Sequence, residues 1–213
     1  MKAVLFDLDG TILDSEKIYL IFWMESARQL GFSLSREEAL KVRSCDPSIS
    51  RGIIEQATGV PGSYDQIRAL RKQLMTAYWK DHVPELKPGV VEFLDRIHKL
   101  PLQKAIVTTA DPAEKLPMLR RYGIADYFDR IVSVKDVKRG KPYPDIYIFA
   151  CEQLGLDPGE CVAIEDAPNG VKSAYDAGVH VIMVPDLSKP DEELLKMCRT
   201  VSRIDLISNS DLL

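Results

Sequence analysis

The sequence predicts an α/β fold: a doubly wound parallel sheet of Rossmann-like type with an inserted α-helical cap domain. Three observations carry this. Short apolar runs recur along the chain as buried parallel strands do, and helical patterns lie between most of them. From about residue 16 to residue 82, by contrast, only helical periodicity is found, which is too long for one crossover connection. The predicted division is therefore a core of residues 1–14 and 84–213 with an insert of residues 15–83, joined by linkers near Asp14 and near Pro84 to Pro88.

The first strand is read over residues 3–8, an apolar run bounded by turn residues. In the insert, residues 18–30 are amphipathic and stop at Gly31, and Ser35 to Glu38 form a capping-box pattern that opens a second helix. Residues 48–58 and 64–79 complete a set of about four. Beyond the insert, residues 90–100 place apolar side chains at 90, 91, 94 and 97, then "AIVT" at 105–108 reads as strand. A helix over 113–122 starts well, with Asp111 as cap and Pro112 at the first helical position. Strands at 131–134, 161–164 and 180–184 alternate with helices at 146–154 and 171–177, the last stopped by Gly178. No internal repeat or low-complexity tract interrupts this order.

Composition sets the broad class. With 213 residues and 46% hydrophobic side chains, the chain can bury a full core without staples. A formal charge of −4 argues against a nucleic-acid partner, which requires a basic face. It leaves room for a small phosphorylated ligand in a locally positive site. The cysteines at 45, 151, 161 and 198 lack the spacing of a metal knuckle or redox dithiol and read as free thiols. No basic-then-apolar leader and no apolar stretch of membrane-spanning length is seen, so a cytoplasmic protein without a membrane partner is expected. Its assembly is expected to be a monomer or a small homo-oligomer.

The chemistry concentrates in "FDLDGTILDS", residues 6–15, where a buried strand runs into Asp7 and Asp9. Ligands of open α/β sheets bind beyond the carboxyl ends of the strands. Alternation would point both carboxylates to one side. Two such acids repel, so both ionise only beside a cation, unless one keeps a proton. Hard oxygen ligands suit Mg2+. Gly10 permits a sharp turn, and amides around residues 8–11 can face an anion. Three later stretches also fall at strand ends or before helices: "AIVTTAD" with Thr108 and Thr109, "RGKPYPDIY" with Lys141, and "AIEDAPNG" with Glu165 and Asp166.

These four motifs, in this order, resemble those of the haloacid dehalogenase-like hydrolase superfamily, over essentially the whole chain. The helical insert is similar to that of the phosphatase and β-phosphoglucomutase-like subgroup. The resemblance implies that Asp7 attacks phosphorus and forms an aspartyl-phosphate. It implies that Asp9 protonates the leaving oxygen and then activates water. Dehalogenating members lack the second Asp, so Asp9 argues for phosphoryl transfer. Thr108 and Thr109 would hold phosphoryl oxygens, and Lys141 would offset the charge of Asp7 and the phosphoryl group. Mg2+ would be bound by Asp7, Asp9, Glu165 and Asp166, with Asp166 the better direct ligand of the last two.

The expected function is thus a Mg2+-dependent phosphatase acting on a small phosphorylated metabolite, such as a sugar phosphate. A phosphosugar mutase is the alternative, and a non-catalytic binding protein on the same fold a third. Two departures weaken the mutase reading. Tyr19 stands where sugar-phosphate mutases of the subgroup commonly carry His, and "VRSCDPSIS" replaces a glycine-containing substrate loop. Arg43 and Arg51 flank that stretch and read as solvated rather than substrate-bound. Lys138 and Arg139 also read as solvated, His82, His98 and His180 as isolated, and Trp23 and Trp79 as interior of the insert.

Overall fold

Six strands pair in parallel in the order β3-β2-β1-β4-β5-β6 in a computed structural model, which describes residues 1–212. They are β1 (Ala3–Phe6), β2 (Gln103–Thr108), β3 (Arg130–Ser133), β4 (Cys161–Glu165), β5 (His180–Met183) and β6 (Arg199–Thr200). The sheet and its helices are those of the predicted α/β class. The sixth strand escaped sequence reading because it is two exposed polar residues, with no apolar run to mark it.

Alternation along the strands divides the core into two layers. Val4, Phe6, Ile106, Val162 and Ile164 pack with Val90, Phe93 and Leu94 of α5 (Val90–Ile97) and Leu119 of α6 (Pro112–Arg121). Ala3, Leu5, Ala105, Val107 and Ala163 pack on the other face against α7 (Asp145–Leu154) and α8 (Pro168–Asp176). Both faces are covered, which is why the central strands read as continuous apolar runs. At the start of α6, Asp111 accepts a hydrogen bond from the Ala113 amide at 3.0 Å, with Pro112 in the first turn.

The segment between β1 and α5 forms α1 (Glu16–Gln29), α2 (Arg36–Lys41), α3 (Pro47–Thr58) and α4 (Ser63–Asp81). Leu20, Trp23, Ala27, Ile54, Tyr64 and Ile67 give these helices a core of their own. The Ser35–Glu38 capping box opens α2 as the sequence pattern requires. The two connections to the sheet run side by side: the Asp14 amide donates to the Glu85 carbonyl at 2.8 Å, and the Lys87 amide to the Ile12 carbonyl at 2.8 Å.

The first strand is shorter than expected. It ends at Phe6, and the Leu8 carbonyl accepts from the Ile12 and Leu13 amides in a tight turn, with Gly10 at φ 97°. Alternation therefore stops governing side-chain direction before Asp9. Among the described residues no helix is long and apolar enough to cross a membrane.

Candidate active site

The order of the strands sets the site. β1 lies between β2 and β4, and the register pairs Phe6 with both Ile106 and Ile164. The Asp7 amide extends the ladder to the Ile164 carbonyl at 3.0 Å, so Asp7 and Glu165 stand beside one another at adjacent strand ends. The α7-facing layer of β1 holds Ala3 and Leu5, and that of β4 holds Cys161 and Ala163. Asp7 and Glu165 continue the same odd-numbered rows. Lys141, just before α7, is fully buried against them. Its Nζ donates to Asp7 Oδ1 at 2.6 Å, Glu165 Oε1 at 2.7 Å and the Val107 carbonyl at 3.0 Å, which uses its three protons. The Tyr147 hydroxyl, also from α7, donates to Glu165 Oε1 at 2.5 Å. Burial alone would lower the Lys141 pKa, but Asp7 and Glu165 hold it above the ordinary lysine value.

Asp7, Glu165 and Asp166 can each present a carboxylate oxygen within 4.8 Å of the others. One oxygen of each, Asp7 Oδ2, Glu165 Oε2 and Asp166 Oδ1, is shielded from solvent and has no hydrogen-bond partner in the protein. Buried carboxylate oxygens left in this way are costly. Burial pushes the Asp7 and Asp166 carboxyls well above the usual range, although Lys141 pulls the first down and Arg43 the second. A hard divalent cation with oxygen ligands fits this group. Two glycines make room for its carboxylates. A Cβ on Gly170 would collide with the Glu165 carboxylate, and one on Gly10 with that of Asp166.

Asp9 turns elsewhere. Its Oδ1 accepts from Ser15 Oγ at 2.5 Å and from Lys115 Nζ, and Lys115 also donates to the Tyr19 hydroxyl at 2.8 Å. The turn at Gly10, not strand alternation, sets this direction. Its side chain therefore stands apart from the Asp7, Glu165 and Asp166 group. Burial raises the Tyr19 pKa to about 12, with Asp9 adding and Lys115 opposing. Thr108 ends β2 buried, its Oγ1 accepting from the Ala110 amide at 3.0 Å.

A cavity of about 460 Å³ opens between the sheet end and the helical segment. Asp9, Thr109 and Lys135 face it from the sheet side; Trp23, Arg71 and Met75 face it from the helices. Arg43 stands between this cavity and the acids. Contrary to the solvated reading, it is buried: its guanidinium donates to Asp166 Oδ2, to Glu16 Oε2 at 2.9 Å and to Ser188 Oγ at 3.2 Å. The segment after it docks on the sheet end. The Asp46 amide donates to the Lys141 carbonyl at 2.6 Å, and Asn169 Nδ2 to the Arg43 carbonyl at 2.8 Å. Arg51 is exposed and pairs with Asp65. Arg139 pairs with Asp145 at the surface. Trp23 is buried as expected, while Trp79 is only half-buried and borders the cavity.

Sequence reasoning missed Lys115, Tyr147, Arg43 and Arg71. The first had a readable signal: Lys115 shares the buried face of α6 with Leu119, four residues on, so a cation takes an apolar position. Tyr147 sits likewise on the apolar stripe of α7. Arg43 carried no local signal, because its partners are 27 and 123 residues away.

A family model described as haloacid dehalogenase-like hydrolase matches residues 4–184. Hexitol phosphatase A of Escherichia coli strain K12 is 36% identical over 186 residues, covering 86% of this chain and 82% of the relative. The β-phosphoglucomutase of Bacillus subtilis strain 168 is 32% identical over 194 residues, covering 86% and 83%. The solved structure of a hydrolase from Pseudomonas syringae, 21% identical, superposes with a TM-score of 0.83 over 99% of this chain and 98% of that one.

Proposed function

Because this chain belongs to the haloacid dehalogenase-like hydrolases and is a phosphoric monoester hydrolase, we propose that it is a Mg2+-dependent phosphatase using an aspartyl-phosphate on Asp7. Its substrate is a small phosphorylated metabolite of the sugar-phosphate kind, in line with two relatives named for phosphorylated carbohydrates and hexitols. The observation that carries the reading is the three spare buried oxygens of Asp7, Glu165 and Asp166 beside the ammonium of Lys141.

Those three carboxylates would hold the metal. Mg2+ bound there supplies positive charge where a phosphoryl group gathers negative charge. A carboxylate oxygen of Asp7 forms a bond to phosphorus as the phosphorus–ester oxygen bond breaks, and the leaving alcohol takes a proton from Asp9. Asp9 then removes a proton from water, whose oxygen attacks phosphorus, releasing phosphate and restoring Asp7. Lys141 holds Asp7 in place and offsets charge on the phosphoryl oxygens. Thr108 and Thr109, at the end of β2, help hold those oxygens. Residues 15–83 act as a cap over the core formed by residues 1–14 and 84–213. The paired linkers are its hinge and the cavity beneath it excludes water during transfer.

Phosphate release from a panel of phosphorylated sugars and polyols tests this. Release requires Mg2+, stops reversibly with EDTA and vanishes in Asp7→Asn. Equal rates in Asp7→Asn and the parent protein would end the proposal. The Bacillus relative keeps a mutase reading in view. In that case an isomeric phosphosugar accumulates with little free phosphate. Tyr19, neutral at working pH with a pKa near 12, is no substitute for a proton-shuttling His and favours hydrolysis.

A further inference from the structure

Resting on the phosphatase reading, a second charge imbalance narrows the substrate. Tyr64, Ile67 and Met75 form the buried stripe of α4. Position 71 lies four residues from both Ile67 and Met75 and so belongs to that stripe, yet an arginine stands there. Its Nε is shielded from solvent and donates to nothing in the protein. Among the described residues no carboxylate lies within ion-pair distance of it. The guanidinium lies 4.2 Å from the centre of the Trp23 ring and 5.6 Å from that of Tyr19. The residue as a whole is half-buried, and the ring faces offset part of the cost of desolvating its charge but leave the shielded Nε–H unmet.

Two more cations sharpen the imbalance. Arg68 and Lys72, both exposed, border the same cavity, spaced on α4 so that Arg68 neighbours both Arg71 and Lys72, and neither forms an ion pair among the described residues. Like charges at such spacings repel. The cavity's acids are already taken or out of reach: Asp9 is bonded to Lys115, Glu16 to Arg43 and Asp111 to Lys135, while Glu114 is exposed.

We propose that the substrate is a phosphate ester bearing a second anionic group, a carboxylate or another phosphate, and that Arg71, flanked by Arg68 and Lys72, receives that group. Tyr19 measures the span between the two ends. Its hydroxyl joins Lys115 and thus Asp9 at the reacting end, and its ring face carries Arg71 at the other. A planar guanidinium is suited to paired hydrogen bonds with either anion.

Matched substrates test this: 6-phosphogluconate against glucose 6-phosphate for a carboxylate, and fructose 1,6-bisphosphate against fructose 6-phosphate for a second phosphate. The parent enzyme prefers the doubly anionic member of at least one pair by about 10–100-fold in kcat/KM, the range of one or two charge-assisted hydrogen bonds. The pair that shows the preference identifies the anion. Arg71→Met, which keeps an unbranched apolar side chain beside Trp23, collapses that ratio towards one, mainly through KM, and Arg71→Lys retains part of it. Equal treatment of both members by the parent overturns the proposal, as does an equal loss on both members in Arg71→Met. Calorimetric binding of 6-phosphogluconate and fructose 1,6-bisphosphate to Asp7→Asn, with and without Arg71→Met, reads the same preference without turnover. If none of the four compounds releases phosphate but the binding preference stands and depends on Arg71, the phosphatase reading fails and this one survives.

Discussion

The two ends of the cavity are built from opposite surpluses. At the sheet end, Asp7, Glu165 and Asp166 crowd around the ammonium of Lys141 and the guanidinium of Arg43, and three of their oxygens stay unpartnered. At the α4 end, Arg68, Arg71 and Lys72 face the same space with no acid paired to them. At the acid end the unpartnered oxygens are buried, and leaving such groups unmet is costly; at the α4 end the shielded unpartnered atom is Arg71 Nε, while Arg68 and Lys72 are exposed. On the readings proposed above, a cation would complete the acids and an anion the arginines. A phosphate ester held by both ends would lie along Tyr19.

The comparison is broken most severely by removing Lys141, the cation that Asp7 and Glu165 share at the acid end. Lys141→Ala leaves Asp7 and Glu165 facing each other without their shared donor. The expected loss in kcat is about 10²–10³, the scale for deleting one preorganised charge-stabilising group. Steady-state kinetics at saturating Mg2+ checks this. A loss of only a few-fold would mean that the acids are held by the metal alone.

A smaller effect separates the two acids of the first motif. Lys115 touches Asp9 but not Asp7, so it acts as a positioning residue for the proton donor. Lys115→Met slows hydrolysis of alkyl phosphates by about 10-fold, less than the roughly 10²–10⁴ of general acid catalysis as a whole because Asp9 itself is kept. It slows p-nitrophenyl phosphate much less, because that leaving group departs without a proton. Equal slowing of both would show that Lys115 supports the fold and not Asp9.

How much of this was legible in the sequence follows from distance along the chain. The sheet, the helical segment and the acids at the strand ends were readable because each is a local pattern: an apolar run, a 3.6-residue period, a charge abutting a strand. Asp9's direction was not, because the turn that runs from Leu8 to Leu13 follows directly on the strand end. Arg43 reads as solvated in the sequence because only a contact spanning 123 residues buries it. Lys115 and Arg71 lie between these cases. Each is a cation at an apolar stripe position of its helix, so the anomaly was visible in the sequence. The sequence did not show which group would satisfy each charge, since that depends on which elements meet across the cavity.

The mildest test reads the surplus at the acid end through pH. Burial lifts Glu16 to about 7 despite its bond to Arg43, and it lifts Asp7 and Asp166 in the same direction. In the unfolded chain these carboxyls ionise near 4. Between about pH 4.5 and 7 the metal-free folded state thus holds protons that the unfolded state has lost. Stability from this source is complete below the unfolded values and is lost as pH rises through the folded ones. The metal-free protein is therefore expected to melt at progressively lower temperature from pH 5 to pH 7.5, and Glu16→Gln should flatten that slope. Mg2+ reverses the trend, because it binds the ionised carboxylates and stabilises the folded state more as they deprotonate. Thermal scans across this range, with EDTA and with Mg2+, measure both slopes. Parallel slopes in the two conditions would mean that the metal does not draw on the acids at the sheet end, and the contrast between the two ends of the cavity would lose its first half.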